Sequence, residues 1–196
     1  LMDLNIETEF HKDYPDALIL TERANVFLTD AFKDGLFEVQ DASSQLVAYF
    51  LDVKPGMRVV DTCAGAGGKT LHLASLMENK GQLIAMDLYE SKLKQLKIRA
   101  KRNGAFNIEP RVIESTKTIK KLHEKADRVL IDAPCSGLGV LKRNPDSKWK
   151  LQPEFIDNIR KVQAEVLENY SKMVKYYLFT HYYFKYFYRT KNTTKV

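Results

Sequence analysis

Cysteine is scarce in this chain, since only Cys63 and Cys135 among 196 residues carry a thiol. That number excludes a disulfide framework, and two cysteines without further His or Cys ligands beside them do not make a zinc site. No apolar run is long enough to span a bilayer. The first ten residues mix acidic and apolar side chains and lack the basic start of a signal peptide. We therefore expect a cytoplasmic protein with neither a membrane nor a metal partner.

A basic charge spread along the chain is also missing, although the net charge is +6. Residues 176–196 supply +4 of it and contain no acid, so the other 175 residues carry only +2. Global charge is thus weak evidence for nucleic-acid binding, which has to be argued from local sites. The 44% hydrophobic and 29% charged content is typical of one soluble globular domain, or of one domain with an appendage.

The most informative stretch that is present is 58–70, which reads R-V-V-D-T-C-A-G-A-G-G-K-T. Its β-branched start predicts a buried strand that ends at Asp61. The glycines then predict a sharp turn whose backbone a ligand can approach closely. Residues 70–77 have apolar side chains at helical spacing. Strand, turn and helix together are typical of half a βαβ nucleotide site.

Three ligands use such a turn, and the neighbouring residues discriminate between them. A phosphate-binding P-loop needs a glycine where Cys63 stands, and a dinucleotide site needs one where Thr70 stands. S-adenosylmethionine instead needs a tight bend and an acid for its ribose hydroxyls. Asp87 supplies that acid at the end of the next predicted strand, 82–86. An ordinary strand-to-helix connection is the alternative, and Asp61 and Asp87 together make it the weaker one.

Strands and helices alternate after this turn. This order predicts an α/β fold in which a parallel sheet carries helices on both faces. The carboxyl ends of its strands then bring Asp61, Asp87 and Asp132 to one edge. The predicted strands are 58–61, 82–86, 111–113 and 127–132, and the predicted helices are 45–51 (N-capped from Asp41, Ser43 or Ser44), 70–78, 90–103, 117–125 and a long one from Pro153; 17–20 is a further strand, and 26–32 is either strand or helix.

A second informative stretch is 132–139, D-A-P-C-S-G-L-G. Its proline and glycines place Cys135 on a loop at the same edge. A basic pair, Lys142 and Arg143, and then Trp149 follow, which is suited to holding a phosphate and stacking a base. The plainer interpretation of these later residues is a surface loop with one buried tryptophan.

A cysteine beside an acid suits methylation of cytosine at C5, which is a poor nucleophile. Addition of a thiolate to C6 makes C5 carbanion-like, so that C5 attacks the sulfonium methyl of S-adenosylmethionine; a base then removes the C5 proton and the thiolate leaves. Asp132, Cys135 and the glycine turn supply such parts. The target base must leave any stack to reach them.

Four segments in combination, 39–45, 61–70, 132–139 and 143–149, resemble the Sun-type RNA cytosine-C5 methyltransferases, the group of the ribosomal RNA small subunit methyltransferases B. The resemblance implies a class I, Rossmann-like, S-adenosylmethionine-dependent methyltransferase sheet without its last strands. It implies catalytic roles for Asp132 and for Cys135, whose thiol is expected to help product release. The implied cofactor residues are Asp61, Cys63, Ala64, Gly65, Ala66, Gly67, Gly68, Lys69, Asp87 and Asp132, and the implied RNA or base contacts are Gln40, Asp41, Lys142, Arg143, Asn144 and Trp149.

The chain also departs from this family. The family's nucleophile is a second cysteine in a later threonine-cysteine motif, and no third cysteine exists here. Six of the ten tyrosines fall within 176–196, so we expect a truncation or a change of reading frame after Lys175. Relatives often carry an aspartate close to the adenine at the position where this chain has Glu114 and Ser115. We divide the chain into a lead-in, 1–35, a partial catalytic domain, 36–175, and a tail, and expect it to be a fragment that turns over poorly.

Two other functions stay open. One is a remnant that binds S-adenosylmethionine or RNA without catalysis, which the missing nucleophile favours. The other is a methyltransferase acting on an exocyclic amine, which needs no thiol and would survive loss of Cys135. The sequence does not specify the RNA, beyond an expected ribosomal one, or the oligomeric state.

Overall fold

The computed structural model describes residues 6–137, 139, 145–150 and 152–175. The described chain begins with an antiparallel hairpin of β1 (Thr8–His11) and β2 (Tyr14–Leu20). A 3₁₀ turn, Val26–Leu28, and the short helix α1 (Asp30–Lys33) follow. The segment 26–32, predicted to be either strand or helix, is therefore helical. The predicted strand at 17–20 lies within β2.

The rest of the described chain alternates between helices and strands as the sequence predicts. Asp41 caps the first of these helices by accepting a hydrogen bond from the Ser43 amide, so that helix begins at Ala42 and not at Gln45. In order, the elements are α2 (Ala42–Leu51), β3 (Arg58–Asp61), α3 (Gly68–Leu76), β4 (Gln82–Asp87), α4 (Glu90–Arg102), β5 (Ile108–Val112), α5 (Thr116–Lys120), β6 (Arg128–Leu130) and α6 (Pro153–Tyr170).

Strands β3 to β6 form one parallel sheet in the order β5-β4-β3-β6. Because all four strands point the same way, their carboxyl ends share one edge, which is where ligands bind in such sheets. Among the described residues, β5 and β6 are the two outer strands, and β6 is the later one in sequence. Just before it, Ala126 forms an isolated parallel bridge with Val174, the residue that follows the turn after α6.

Several predicted boundaries were wrong, and three of them are informative. The strand expected at 111–113 begins at Ile108, because Pro110 is tolerated on an outer strand that pairs with only one neighbour. The helix expected over 117–125 ends at Lys120, and the chain then turns until Glu124, whose φ is +57°. Helix α3 begins two residues earlier than predicted, at Gly68, immediately after the left-handed Gly67.

Both faces of the sheet are covered, and the strand side chains alternate between them. On one face, Val59 and Leu83 pack with residues of α2 and α3, and Ala85 packs with residues of α4. On the other, Val60 and Ile84 pack with residues of α5 and the end of α6. This three-layer arrangement explains why the central strands are apolar throughout and not alternating.

A ladder of polar side chains crosses three strands near their amino ends. Arg58 donates through Nε to Gln82 Oε1 at 2.6 Å. Gln82 in turn donates through Nε2 to Glu109 Oε2 at 2.7 Å, and Glu109 also accepts from Arg111. Neighbouring strands are thus joined by side chains as well as by backbone. Of the helices in the described part of the chain, none combines the length and the hydropathy needed to cross a membrane.

Candidate functional site

The glycine turn between β3 and α3 forms the floor of a cavity. Gly65 and Gly67 have φ values of +56° and +92°, which side chains rarely adopt. A Cβ added at Gly65 or Gly68 would meet nothing within 4 Å, whereas one at Gly67 would lie 2.7 Å from Leu96 Cγ. Gly65 and Gly68 therefore leave open space for a ligand, and Gly67 lets the turn pack against α4.

The cavity has a volume of about 220 Å³ and brings together residues from three parts of the chain. The glycine turn supplies most of its lining, Asp132 comes from the loop after β6, and the segment at the start of α2 forms another wall. The lining residues are Gln40, Ser44, Asp61, Cys63, Ala64, Gly65, Gly68, Lys69 and Asp132. Of the residues predicted for cofactor binding, Ala66, Gly67 and Asp87 do not line it.

Asp87 supports the turn from the neighbouring strand. Its Oδ2 accepts a hydrogen bond from the Gly65 amide at 2.9 Å, and its Oδ1 accepts from the Tyr89 amide at 2.9 Å. The residue is only 7% exposed. A carboxylate has about four acceptor positions, so each oxygen retains capacity for a ligand hydroxyl. Asp87 therefore joins the end of β4 to the turn.

Asp61 is fully buried below the same turn. Burial raises its pKa to about 6, although the Thr70 hydroxyl donates to Oδ2 at 2.7 Å and the Cys63 amide donates to Oδ1 at 3.4 Å. Both carboxylate oxygens are thus used to hold the two ends of the turn together. This arrangement makes Asp61 a support for the backbone as well as a part of the cavity wall.

The two thiols have different environments. Burial raises the pKa of the Cys63 thiol to about 11, so it stays protonated at neutral pH. Cys135 is exposed on the loop after β6 and does not line the cavity. The carbonyl of Pro134, immediately before it, accepts a hydrogen bond from Gln163 of α6 at 2.8 Å. Of the two, Cys135 is the more exposed thiol, and Cys63 is the one that lines the cavity.

Lys69 and Asp132 form an ion pair across the rim of the cavity. Lys69 Nζ donates to Asp132 Oδ2 at 2.6 Å, and the two side chains are 22% and 50% exposed. The pair joins the start of α3 to the loop after β6, which are 63 residues apart in sequence. An acid predicted to act on the substrate therefore lies beside a cation within the same cavity.

The residues predicted to contact RNA lie in different environments. Gln40 lines the cavity, and its Nε2 is buried without a hydrogen-bond partner in the described structure. Asp41 faces α2, where its Oδ1 also accepts from the Ser43 hydroxyl at 2.7 Å. Trp149 is 75% exposed and not buried, contrary to the plainer interpretation of its loop. Lys142, Arg143 and Asn144 lie outside the described residues.

Sequence reasoning missed three residues around the cavity. Ser44 was considered only as a helix cap, yet it lines the wall. Glu38 and Arg99 form an ion pair beside the turn, and no local pattern distinguishes them from ordinary surface charges. The two residues of this pair are 61 positions apart, and the sequence alone does not predict a contact over that separation. Within the described ranges, no group of His, Cys, Asp and Glu is arranged to hold a metal ion.

Comparison with solved structures gives the fold class. A methyltransferase homologue from Pyrococcus horikoshii is 30% identical with a TM-score of 0.75, over 89% of this chain and 54% of that one. NSun6 from the same organism, solved with SFG, is 29% identical with a TM-score of 0.69, over 81% and 41% of the two chains. The fold is therefore that of the class I methyltransferases.

Sequence comparison identifies the particular group within that class. Residues 48–180 match the family model of the 16S rRNA methyltransferases RsmB/F. The chain belongs to this family.

Curated relatives are considerably longer than this chain. A probable ribosomal RNA small subunit methyltransferase B of Bacillus subtilis is 39% identical over 75% of this chain and 33% of its own length. One from Synechocystis is 36% identical over 89% of this chain and 40% of its own length. The chain thus spans between a third and two fifths of these two relatives.

Proposed function

We propose that this domain binds S-adenosylmethionine in the cavity at the glycine turn and belongs to an enzyme that methylates C5 of cytosine in RNA, with ribosomal RNA as the substrate. The observation that carries the proposal is the open space above Gly65 and Gly68, bordered by acids at the carboxyl ends of adjacent strands. The names of the curated relatives support ribosomal RNA as substrate, and the SFG bound to the NSun6 structure, an analogue of S-adenosylmethionine, supports the cofactor. A cytoplasmic location accords with such a substrate.

The donor set fits this cofactor. Ribose hydroxyls need acceptors, and we assign this role to Asp87, which does not line the cavity but holds the amide of Gly65, a residue that does. The Gly65 and Gly68 backbone has room for close approach, and Gln40 Nε2, which has no hydrogen-bond partner among the described residues, is available as a donor. When bound, S-adenosylmethionine supplies an electrophilic methyl group. The side chains around it supply orientation and charge.

Two groups are suited to the target base. We assign to Asp132, which Lys69 holds at the rim, the role of accepting a hydrogen bond from the amino group of a cytosine entering the cavity. Cys135 lies three residues further along the same loop and offers the accessible thiol. We assign it the role in product release that the family resemblance implies. The RNA contacts predicted at Gln40, Asp41, Trp149 and 142–144 remain part of this proposal, as does the division at residues 35 and 175.

A second candidate is a cofactor-binding or RNA-binding domain without turnover. It is favoured by the two thiols in the sequence: burial keeps Cys63 protonated, and the family resemblance implies product release, not nucleophilic attack, for Cys135. A methyltransferase acting on an exocyclic amine differs from both, because it would retain its activity in Cys135→Ala.

Replacement of Gly68 by alanine tests the proposed cofactor site. Gly68 is the first residue of α3, and its added methyl would enter open space in the cavity. We expect Gly68→Ala to weaken S-adenosylhomocysteine binding at least tenfold in isothermal titration calorimetry. Its melting temperature should not fall, because alanine is favoured over glycine in a helix. Gly56→Ala is the control for a methyl added away from this cavity, since Gly56 also faces open space but precedes the amino end of β3. Because the φ of Gly56 is +90°, alanine there should lower the melting temperature and leave the affinity unchanged. Unchanged affinity in Gly68→Ala would contradict the assignment.

A further inference from the structure

We propose that Arg99 of α4, paired with Glu38, is a positioning residue that holds the tip of the glycine turn in the conformation that binds the cofactor. The inference rests on the proposed function for its ligand. It adds a residue pair that lies outside the cavity and touches neither the cofactor space nor the target base.

Arg99 contacts the turn directly. Its Nη1 donates to the carbonyl oxygen of Ala66 at 2.9 Å, and its Nη2 donates to Glu38 Oε2 at 2.9 Å. The two side chains are only 24% and 17% exposed. One planar guanidinium therefore ties the turn to the segment just before α2, and its fixed fork makes the geometry specific.

Ala66 is the part of the turn that most needs such an anchor. It lies between Gly65 and Gly67, both with positive φ, where the backbone has the greatest freedom. One turn of α4 before Arg99, Leu96 packs against Gly67 so closely that an added Cβ would lie 2.7 Å away. Leu96 and Arg99, both on α4, thus contact two adjacent residues of the turn, Gly67 and Ala66.

Glu38 is well suited to be the fixed end of this contact. It also accepts hydrogen bonds from Arg102 and from Asn103 Nδ2, the latter at 2.7 Å. Burial acts to raise the pKa of Glu38, but the hydrogen bonds from Arg99, Asn103 and Arg102 and the charge of Arg99 together outweigh it and lower the pKa, so the carboxylate stays charged. The chain around it is fastened as well, because the Arg102 guanidinium lies 3.9 Å from the Phe32 ring centroid.

The pair connects two walls of the cavity. Glu38 lies two residues before Gln40, which lines one wall, and Ala66 lies between Gly65 and Gly68, which line another. Fixing both walls before the ligand arrives removes an ordering cost from binding. Loss of Arg99 should therefore weaken binding more than it weakens folding.

The experiment compares Arg99→Gln with Arg102→Gln. Both variants remove a guanidinium from Glu38, but only Arg99 contacts the Ala66 carbonyl. We expect similar decreases in melting temperature for the two variants, with the S-adenosylhomocysteine dissociation constant raised about tenfold in Arg99→Gln and less than about threefold in Arg102→Gln. Arg99→Lys should recover part of the affinity. Equal losses of affinity in the two glutamine variants, or none in Arg99→Gln, would overturn the proposal.

A measurement without ligand separates this proposal from the proposed function. The Gly67 amide donates to the Ala64 carbonyl at 2.9 Å inside the turn, so its hydrogen exchange reports on the turn itself. We expect faster exchange at Gly67 in Arg99→Gln and unchanged exchange in Arg102→Gln. If the unsubstituted chain failed to bind S-adenosylhomocysteine, the proposed function would fall, and the exchange rates alone would decide whether Arg99 holds the turn.

Discussion

At the scale of single residues, the buried carboxylate of Asp61 has the clearest consequence for stability. Its pKa of about 6 in the folded protein compares with about 3.9 in an unfolded chain. The folded state therefore holds the proton more tightly. The stabilisation this provides is complete below pH 3.9 and is lost as the pH rises through 6, and two pKa units correspond to about 3 kcal/mol.

We expect this dependence to disappear in Asp61→Asn. The difference in unfolding free energy between the native chain and the variant, measured by urea denaturation from pH 3.5 to 7, should shift by about 3 kcal/mol against the native chain as the pH rises. Other titrating groups are common to both proteins and cancel in the difference. A difference that stays constant over this range would show that Asp61 is not the group responsible.

At the scale of secondary-structure elements, the β1–β2 hairpin is joined to the α2–α3 layer through Asp16. This carboxylate accepts hydrogen bonds from Tyr49 of α2 and, at 3.1 Å, is paired with His72 of α3. The bond from Tyr49 is the main cause that lowers the pKa of Asp16, and the pKa of Tyr49 is raised to about 12 by burial and by the same bond. The attachment is therefore complete at neutral pH and lost as the pH falls below the usual carboxylate range.

We expect Asp16→Ala to loosen the hairpin without unfolding the sheet. The loss of these hydrogen bonds should cost about 1 kcal/mol. Amide hydrogen exchange should accelerate across 8–20 while β3 and β4 remain protected. Glu9→Ala is a suitable control, because Glu9 is an exposed residue of the same hairpin. Equal acceleration in both variants would mean that Asp16 does not fasten the hairpin.

Elements were predictable where local chemistry defines them, and less so where distant contacts do. Asp41 as a helix cap and the glycine turn follow from backbone hydrogen bonding and φ freedom, which the sequence records directly. The start of β5 was missed because Pro110 is a strand breaker except on an outer strand, and strand order is a tertiary property. Arg99 was missed for the same kind of reason, since its partners are 33 and 61 residues away.

At the scale of the whole molecule, the proposed cofactor should stabilise the domain without being consumed. Saturation at about 100 times the dissociation constant adds about 2.7 kcal/mol, which corresponds to a rise in melting temperature of roughly 5–10 °C for a chain of this size. We expect S-adenosylhomocysteine to produce this shift in the 196-residue chain and to have little effect on Gly68→Ala.

With labelled S-adenosylmethionine and ribosomal RNA, methyl transfer should be absent or very slow. Steady turnover by this chain would refute that expectation.

The polar ladder through Arg58, Gln82 and Glu109 bears on how the sheet assembles correctly. The central strands are at most 1% exposed at Val59, Val60 and Leu83, so they lack the contrast between inner and outer faces that aligns most strands. Sliding β4 by two residues would keep every side chain on its own face of the sheet. It would, however, separate Gln82 from both of its charged partners. Misalignment of the strands is thus penalised at their amino ends. The same contacts therefore also fix the alignment of the carboxyl ends, where the ligand is proposed to bind.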